Sequence, residues 1–239
     1  MDTVRFHPVA GRQIAYRYRP GSGPVLVFLP GYRSDMAGIK AGAFHQWAAE
    51  RGRACLLLDY SGCGQSEGDF ADGSLSRWRD EVVALIEALV KQPVVLIGSS
   101  MGGWLMLLVA EILGDRVHGL MGIAAAPDFT EWGRSDEDKR RLSAGETIYD
   151  ASPYGPTPFY AGFWADGQDN RRLEGEITLS CPVRLVHGMR DQAVPWDISV
   201  RLAQSLRSSE VHLTLVKDGD HNLSREQDIA LLLGTLATI

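Results

Sequence analysis

The sequence predicts an α/β fold: a mostly parallel sheet with helices on both faces and a short inserted cap. Three observations predict it. Short apolar runs alternate with longer segments of helical period along most of the 239 residues. Most of these runs are continuously apolar, as strands covered on both faces must be. One stretch, 128–180, breaks that rhythm, and its second part follows neither period. Alternation of β and α at this spacing gives parallel pairing with helical crossovers.

Residues 12–19 (RQIAYRYR) alternate polar and apolar side chains and read as a half-buried edge strand. Residues 24–29 (PVLVFL), 54–59 (ACLLLD), 94–98 (VVLIG), 120–125, 183–187 (VRLVH) and 211–216 read as buried strands. Met36, Ile39, Ala43 and Trp47 share one helical face, and so do Trp78, Val82, Leu85, Ile86 and Leu89. Near the end, Ile229, Leu232, Leu233 and Leu236 form a third such face, with Ser224 and Gln227 at the spacing of a capping box. Residues 1–127 and 181–239 are expected to form one core. The cap, 128–180, opens with a charged helical piece over 135–142 and continues as YDASPYGPTPFYAGFWADG. A flexible linker seldom carries so many large apolar side chains.

A net charge of -6 with scattered Lys and Arg argues against a nucleic-acid partner, which needs concentrated positive charge. Cys55, Cys63 and Cys181 are odd in number and include no C-x-x-C pair, so neither a disulfide framework nor a zinc site is expected. The chain shows no signal-peptide pattern at its start and no apolar stretch of membrane-spanning length. A cytoplasmic domain with no metal and no cofactor is expected, acting on a small-molecule or acylated substrate.

The segment LIGSSMGGW, 96–104, places two serines between glycines. The pattern G-x-S-x-G fits in one register only, with Ser100 central and Gly98 and Gly102 flanking it. Centred on Ser99, the flanks would be Ile97 and Met101, which would clash where the chain reverses from strand to helix. Ser100 is the expected nucleophile, and a serine needs a base to take its proton. Of six histidines, His221 in KDGDHNLS follows the last strand, at the edge of a parallel sheet where ligands bind. His7, His45 and His118 are worse placed, and His187 and His212 lie within strands. The base needs an orienting acid. Asp191, after the strand VRLVH, is favoured, with Asp128 its competitor and Asp220 too close in sequence to fold back. Backbone N–H groups of Met101 and Tyr32 are the expected oxyanion donors, although Pro30-Gly31 replaces the more usual His-Gly. GCGQSEG, 62–68, imitates a dinucleotide fingerprint, but its third glycine is late and a loop follows, so it reads as a turn.

With these residues in place, the chain resembles the α/β-hydrolases from about residue 25 onward. LPGYRSDMAGIKA, DYSGCGQSEG, GSSMGGWLML, CPVRLVHGMRDQAVPW and GDH stand in family order. More narrowly it is similar to the acyl-protein thioesterase and acyl-glucuronide esterase group, as a bacterial-type member. The resemblance implies a Ser100, Asp191 and His221 triad acting on carboxylic esters or thioesters. Peptidase or C–C bond hydrolase chemistry on the same triad is the alternative, and a non-catalytic binding fold should have lost a triad member. In the cap, Tyr149, Tyr154, Phe159, Tyr160, Phe163 and Trp164 crowd into sixteen residues. Phe159, Tyr160, Phe163 and Trp164 are the expected lining of an acyl pocket, with some of the aromatics instead holding the cap to the body.

Overall fold

A computed structural model describes residues 2–150 and 155–239, so Tyr154 lies outside the described residues. The chain begins with β1 (Arg5–Val9), β2 (Arg12–Arg19) and β3 (Ser22–Leu29), then α1 (Ile39–Glu50) and β4 (Arg53–Leu58). Next come α2 (Leu75–Leu89), β5 (Val94–Ser99), α3 (Met101–Leu113) and β6 (Val117–Ile123). Between β6 and the following strand of the same sheet lie α4 (Phe129–Trp132), α5 (Asp136–Ser143), β7 (Ile148–Asp150), β8 (Thr157–Phe159) and α6 (Ala161–Asp169). The chain closes with β9 (Val183–Gly188), α7 (Asp197–Ser205), β10 (Val211–Val216) and α8 (Glu226–Leu236).

The main sheet has the order β1-β2-β4-β3-β5-β6-β9-β10. The pairs β1–β2 and β2–β4 are antiparallel and the rest are parallel. Continuous apolar strands are explained by what covers them. In β3, Val25, Val27 and Leu29 join the core formed with α2 and α3, while Leu26 and Phe28 join the core formed with α1 and α8. Each such side chain taken from water contributes about 1.5–3 kcal/mol, and both faces are fully used.

Three local expectations need correction. β2 is not an edge strand, because β1 pairs outside it. The short run RFHPV contains Pro8 and carries little strand signal, which suits an edge that must resist further pairing. On α1 the buried residues are Ala41, Phe44, His45, Trp47 and Ala48, whereas Ile39 is 67% exposed. Met36 is buried but precedes the helix, held where its N–H donates to Asp59 Oδ1 at 2.7 Å. α8 starts one residue later than the Ser224–Gln227 spacing implies. Arg225 is its N-cap, and the Asp228 carboxylate accepts from the Arg225 N–H at 3.2 Å and from its guanidinium at 2.8 Å.

GCGQSEG is a turn, tied down where Asp59 Oδ2 accepts the Gln65 N–H at 2.9 Å. The charged piece is α5, its first turn capped by Ser135 Oγ accepting the Asp138 N–H at 3.1 Å. The excursion between β6 and β9 is stitched to the body. Asp166 Oδ2 accepts the Ser76 N–H at 2.9 Å, and Trp104 Nε1 donates to Asn170 O at 3.0 Å. Among the described residues, no helix is long and apolar enough to cross a membrane.

Candidate active site

Ser100 stands at the junction of β5 and α3 with φ 55° and ψ −121°, a left-handed backbone that costs a non-glycine residue about 1–3 kcal/mol. Its neighbours over-determine that conformation. The Ser100 N–H donates to Ile123 O at 2.9 Å, and its carbonyl accepts from Gly103 N at 2.9 Å and Ala126 N at 3.0 Å. The turn also needs its two glycines. A Cβ on Gly98 would stand 2.3 Å from Gly102 O, and one on Gly102 would stand 2.1 Å from Leu29 O. Both obstacles are backbone, so neither can yield. The register that centres on Ser100 is therefore the one whose glycines the turn requires, and Ser99 beside it is buried.

The loop after β10 brings His221 to Ser100, with Nε2 at 3.1 Å from Oγ. The loop after β9 brings Asp191, whose Oδ2 lies 2.7 Å from His221 Nδ1. Asp191 Oδ1 accepts the Ala193 and Val194 N–H groups, each at 2.8 Å. Burial alone would raise this carboxyl. Hydrogen bonds from His187, His221 and the Val194 N–H outweigh it and hold the group well below the usual carboxylate range. An ionised carboxylate only accepts, so the shared proton sits on His221 Nδ1 and the Nε2 lone pair faces the Ser100 hydroxyl.

Asp128 is elsewhere. Its backbone is left-handed at the start of α4, and its two carboxylate oxygens accept the Arg172 and Leu173 N–H groups at 2.8 Å each. Burial raises this carboxyl, though those two N–H groups pull against the rise. It closes the excursion between β6 and β9 and does not touch His221. Asp220 Oδ1 accepts the Leu223 N–H at 2.9 Å, turning the loop that carries His221. His45 is paired with Asp2 at 2.8 Å.

Met101 opens α3 directly after Ser100, and Tyr32 follows Gly31, whose Cα is close enough that an added Cβ would lie 3.3 Å from Ser100 Cβ. Among the described residues, neither the Tyr32 nor the Met101 N–H donates to a protein acceptor. The Tyr32 ring meets Phe163 at 4.9 Å, Phe70 at 5.0 Å and Phe159 at 5.7 Å between centroids, and burial pushes its phenol up.

Two cavities share Tyr32, Ser100 and His221. One, of about 440 Å³, has a mixed wall in which Asp35, Lys40, Asn222 and Ser224 stand beside Phe28, Pro30 and Ile39. The other, of about 370 Å³, is walled by Met101, Ala126, Phe129, Trp132, Arg134 and Val194. None of Phe159, Tyr160, Phe163 and Trp164 lines either cavity. Phe159 and Phe163 are each 1% exposed and close an aromatic cluster against Tyr32 and Trp78. Tyr160 meets Phe70, and Trp164 Nε1 donates to Thr130 O at 3.1 Å. The sequence reading missed Phe129, Trp132 and Arg134. Their position just beyond β6, at the carboxyl edge of the sheet, was the available signal.

The Alpha/beta hydrolase family profile matches residues 26–232. The mouse mitochondrial palmitoyl-protein thioesterase ABHD10 is 36% identical over 231 residues, covering 93% of this chain and 77% of its own. The human protein of the same name is 34% identical over 229 residues, with coverage of 93% and 75%. A crystal structure described as a "Putative hydrolase" from Agrobacterium vitis S4 superposes with a TM-score of 0.91 at 36% identity, covering 99% of this chain and 98% of that one. With a strand-to-helix serine turn, a histidine after the last strand and this similarity along nearly its whole length, the chain belongs to the alpha/beta hydrolase family.

Proposed function

We propose that this protein is a serine hydrolase that cleaves carboxylic esters or thioesters through an acyl-enzyme on Ser100. The observation that carries the reading is the unbroken chain Ser100 Oγ, His221, Asp191 at 3.1 and 2.7 Å. His221 Nε2 takes the hydroxyl proton as Oγ attacks the acyl carbon. The oxyanion forms beside the Tyr32 and Met101 N–H groups, which no acceptor among the described residues occupies. Collapse breaks the bond to the leaving alkoxide or thiolate, which receives from His221 Nε2 the proton that came from Ser100. Water then repeats the sequence on the acyl-enzyme and releases the acid. No step requires a metal or cofactor.

The cavity walled by Phe129 and Trp132 suits the acyl half, since apolar surface gains by leaving water. The mixed cavity, with Asp35, Lys40 and Asn222 in its wall, offers partners to a polar leaving group. The relatives named as thioesterases support ester and thioester substrates over peptides or C–C bonds. A cytoplasmic location belongs to this reading. It rests on composition and on three cysteines that are free thiols, whereas the mammalian relatives are named as mitochondrial. Labelling with a fluorophosphonate, followed by a hydrolysis screen over matched ester and thioester series, tests the reading. Labelling lost in Ser100→Ala and turnover of acyl substrates support it. A folded protein that neither labels nor hydrolyses any acyl series would overturn it.

A further inference from the structure

A second histidine touches the acid. His187, the penultimate residue of β9, is 0% exposed. Its Nε2 lies 3.1 Å from Asp191 Oδ2 and 3.0 Å from Val194 O, and its Nδ1 lies 2.7 Å from Ser199 Oγ on α7. An ionised carboxylate and a carbonyl both only accept, so Nε2 carries a proton and presents it to both. The buried Ser199 hydroxyl, with no other partner among the described residues, meets the remaining ring nitrogen. Asp191 Oδ2 therefore receives two ring N–H groups, from His187 at 3.1 Å and His221 at 2.7 Å, while Oδ1 receives two backbone N–H groups. With four donors the carboxylate cannot rotate about its last bond without abandoning at least one of them.

We propose that His187 is a positioning residue: its Nε2–H holds Asp191 Oδ2 on the line to His221 Nδ1, with Ser199 fixing the ring's orientation. The inference rests on the Ser100–His221–Asp191 reading above. A merely structural His187 would tie the 191–194 loop to α7 through Val194 O and Ser199. It would then matter to stability and not to the turnover of folded protein.

The test compares His187→Phe, His187→Gln and His187→Asn with the wild type. The Gln side chain reaches as far as Nε2 and can offer an N–H to Oδ2, whereas the Asn side chain stops at the position of Nδ1. For folded His187→Phe and His187→Asn, kcat should fall about 10- to 100-fold, the scale of an ångström's misplacement. KM should barely change, and the downfield proton resonance of the His221–Asp191 hydrogen bond should shift or broaden. His187→Gln should recover most of the kcat and of the resonance. If the His187 variants do not fold, Ser199→Ala carries the same readouts with a loss of about 3- to 10-fold, the worth of one neutral hydrogen bond. Wild-type kcat and an unmoved resonance in the folded variants, with only thermal stability reduced, would overturn the inference. Ser100→Ala in parallel separates the two failures. If it keeps its activity, the Ser100 reading itself is wrong; if it is inactive while His187→Phe works normally, only the role of His187 falls.

Discussion

Ser100 sits on backbone constrained from every side, whereas the segment above it between β6 and β9 is held by side chains. At the turn, the atoms that exclude any larger residue are carbonyl oxygens of Gly102 and Leu29. In the excursion, Phe129, Phe159 and Phe163 meet one another and Tyr32 of the body with ring centroids 4.9 to 6.1 Å apart, and the Arg134 guanidinium lies 3.7 Å over Phe159. Aromatic packing tolerates exchange of one large apolar side chain for another, while a backbone clash tolerates nothing. The difference teaches where each property resides. On the proposed reading, the reactive geometry lies in the part that cannot vary and substrate fit in the part that can.

The sharpest way to break that contrast is at the turn. Ser100→Ala should lower kcat by about 10⁶, because the three side chains act as a unit. Ser99→Ala should leave a working enzyme that still labels with a fluorophosphonate. Reversal of those two results would mean that the register is wrong.

The acids come next. Asp191→Asn should cost about 10⁴ in kcat through the wrong histidine tautomer. Asp128→Asn, which acts inside the excursion, should leave kcat nearly intact and cost about 1–3 kcal/mol of stability as a buried hydrogen bond is lost. Stability against pH adds a check on Asp191. Its folded carboxyl lies below the unfolded value of about 3.9, so its stabilisation is complete above that pH and disappears as pH falls through the folded value. The stability gap between wild type and Asp191→Asn in denaturant melts should therefore be full well above about pH 4 and narrow progressively as pH falls below it toward the folded value. A gap that widens on acidification would contradict the hydrogen-bond account.

A glycine pair probes the two regions directly. Gly102→Ala should cost about 3 kcal/mol or more, in the range reserved for severe steric faults. In α6 a Cβ on Gly162 meets open space, so Gly162→Ala should stabilise by about 0.5–1 kcal/mol through helix propensity. Thermal melts decide both, and a tolerated Gly102→Ala would show that the turn is softer than its contacts imply.

The smallest effect concerns acyl fit. Each methylene buried in the aromatic cavity is worth ~0.8 kcal/mol, or about fourfold in kcat/KM, until the space is full. Trp132→Ala should move the optimum of a straight-chain ester series to longer acyl groups. Phe159→Ala should cost about 3–5 kcal/mol of stability and leave the optimum where it was. An optimum that moves with Phe159→Ala or Trp164→Ala but not with Trp132→Ala would put the acyl chain among the clustered rings instead.

What the sequence by itself determined follows from local rules. Strand and helix periods, the glycine spacing around Ser100 and the place of His221 after the last strand depend on near neighbours, so they are legible in a one-dimensional pattern. The outer strand β1 escaped because five residues with a proline carry too little periodicity. The start of α8 slipped by one residue because Ser224 and Arg225 offer overlapping caps. The sequence favoured Asp191 over Asp128, but both follow strands, and only the three-dimensional arrangement shows which carboxylate meets His221 Nδ1 and which closes a loop. It also decided that Phe159 and Phe163 fill a core while Phe129 and Trp132 face a cavity. Aromatic density says that large apolar area will be buried. Whether protein or substrate buries it depends on which way each ring points, and that is set by contacts between residues far apart in the chain.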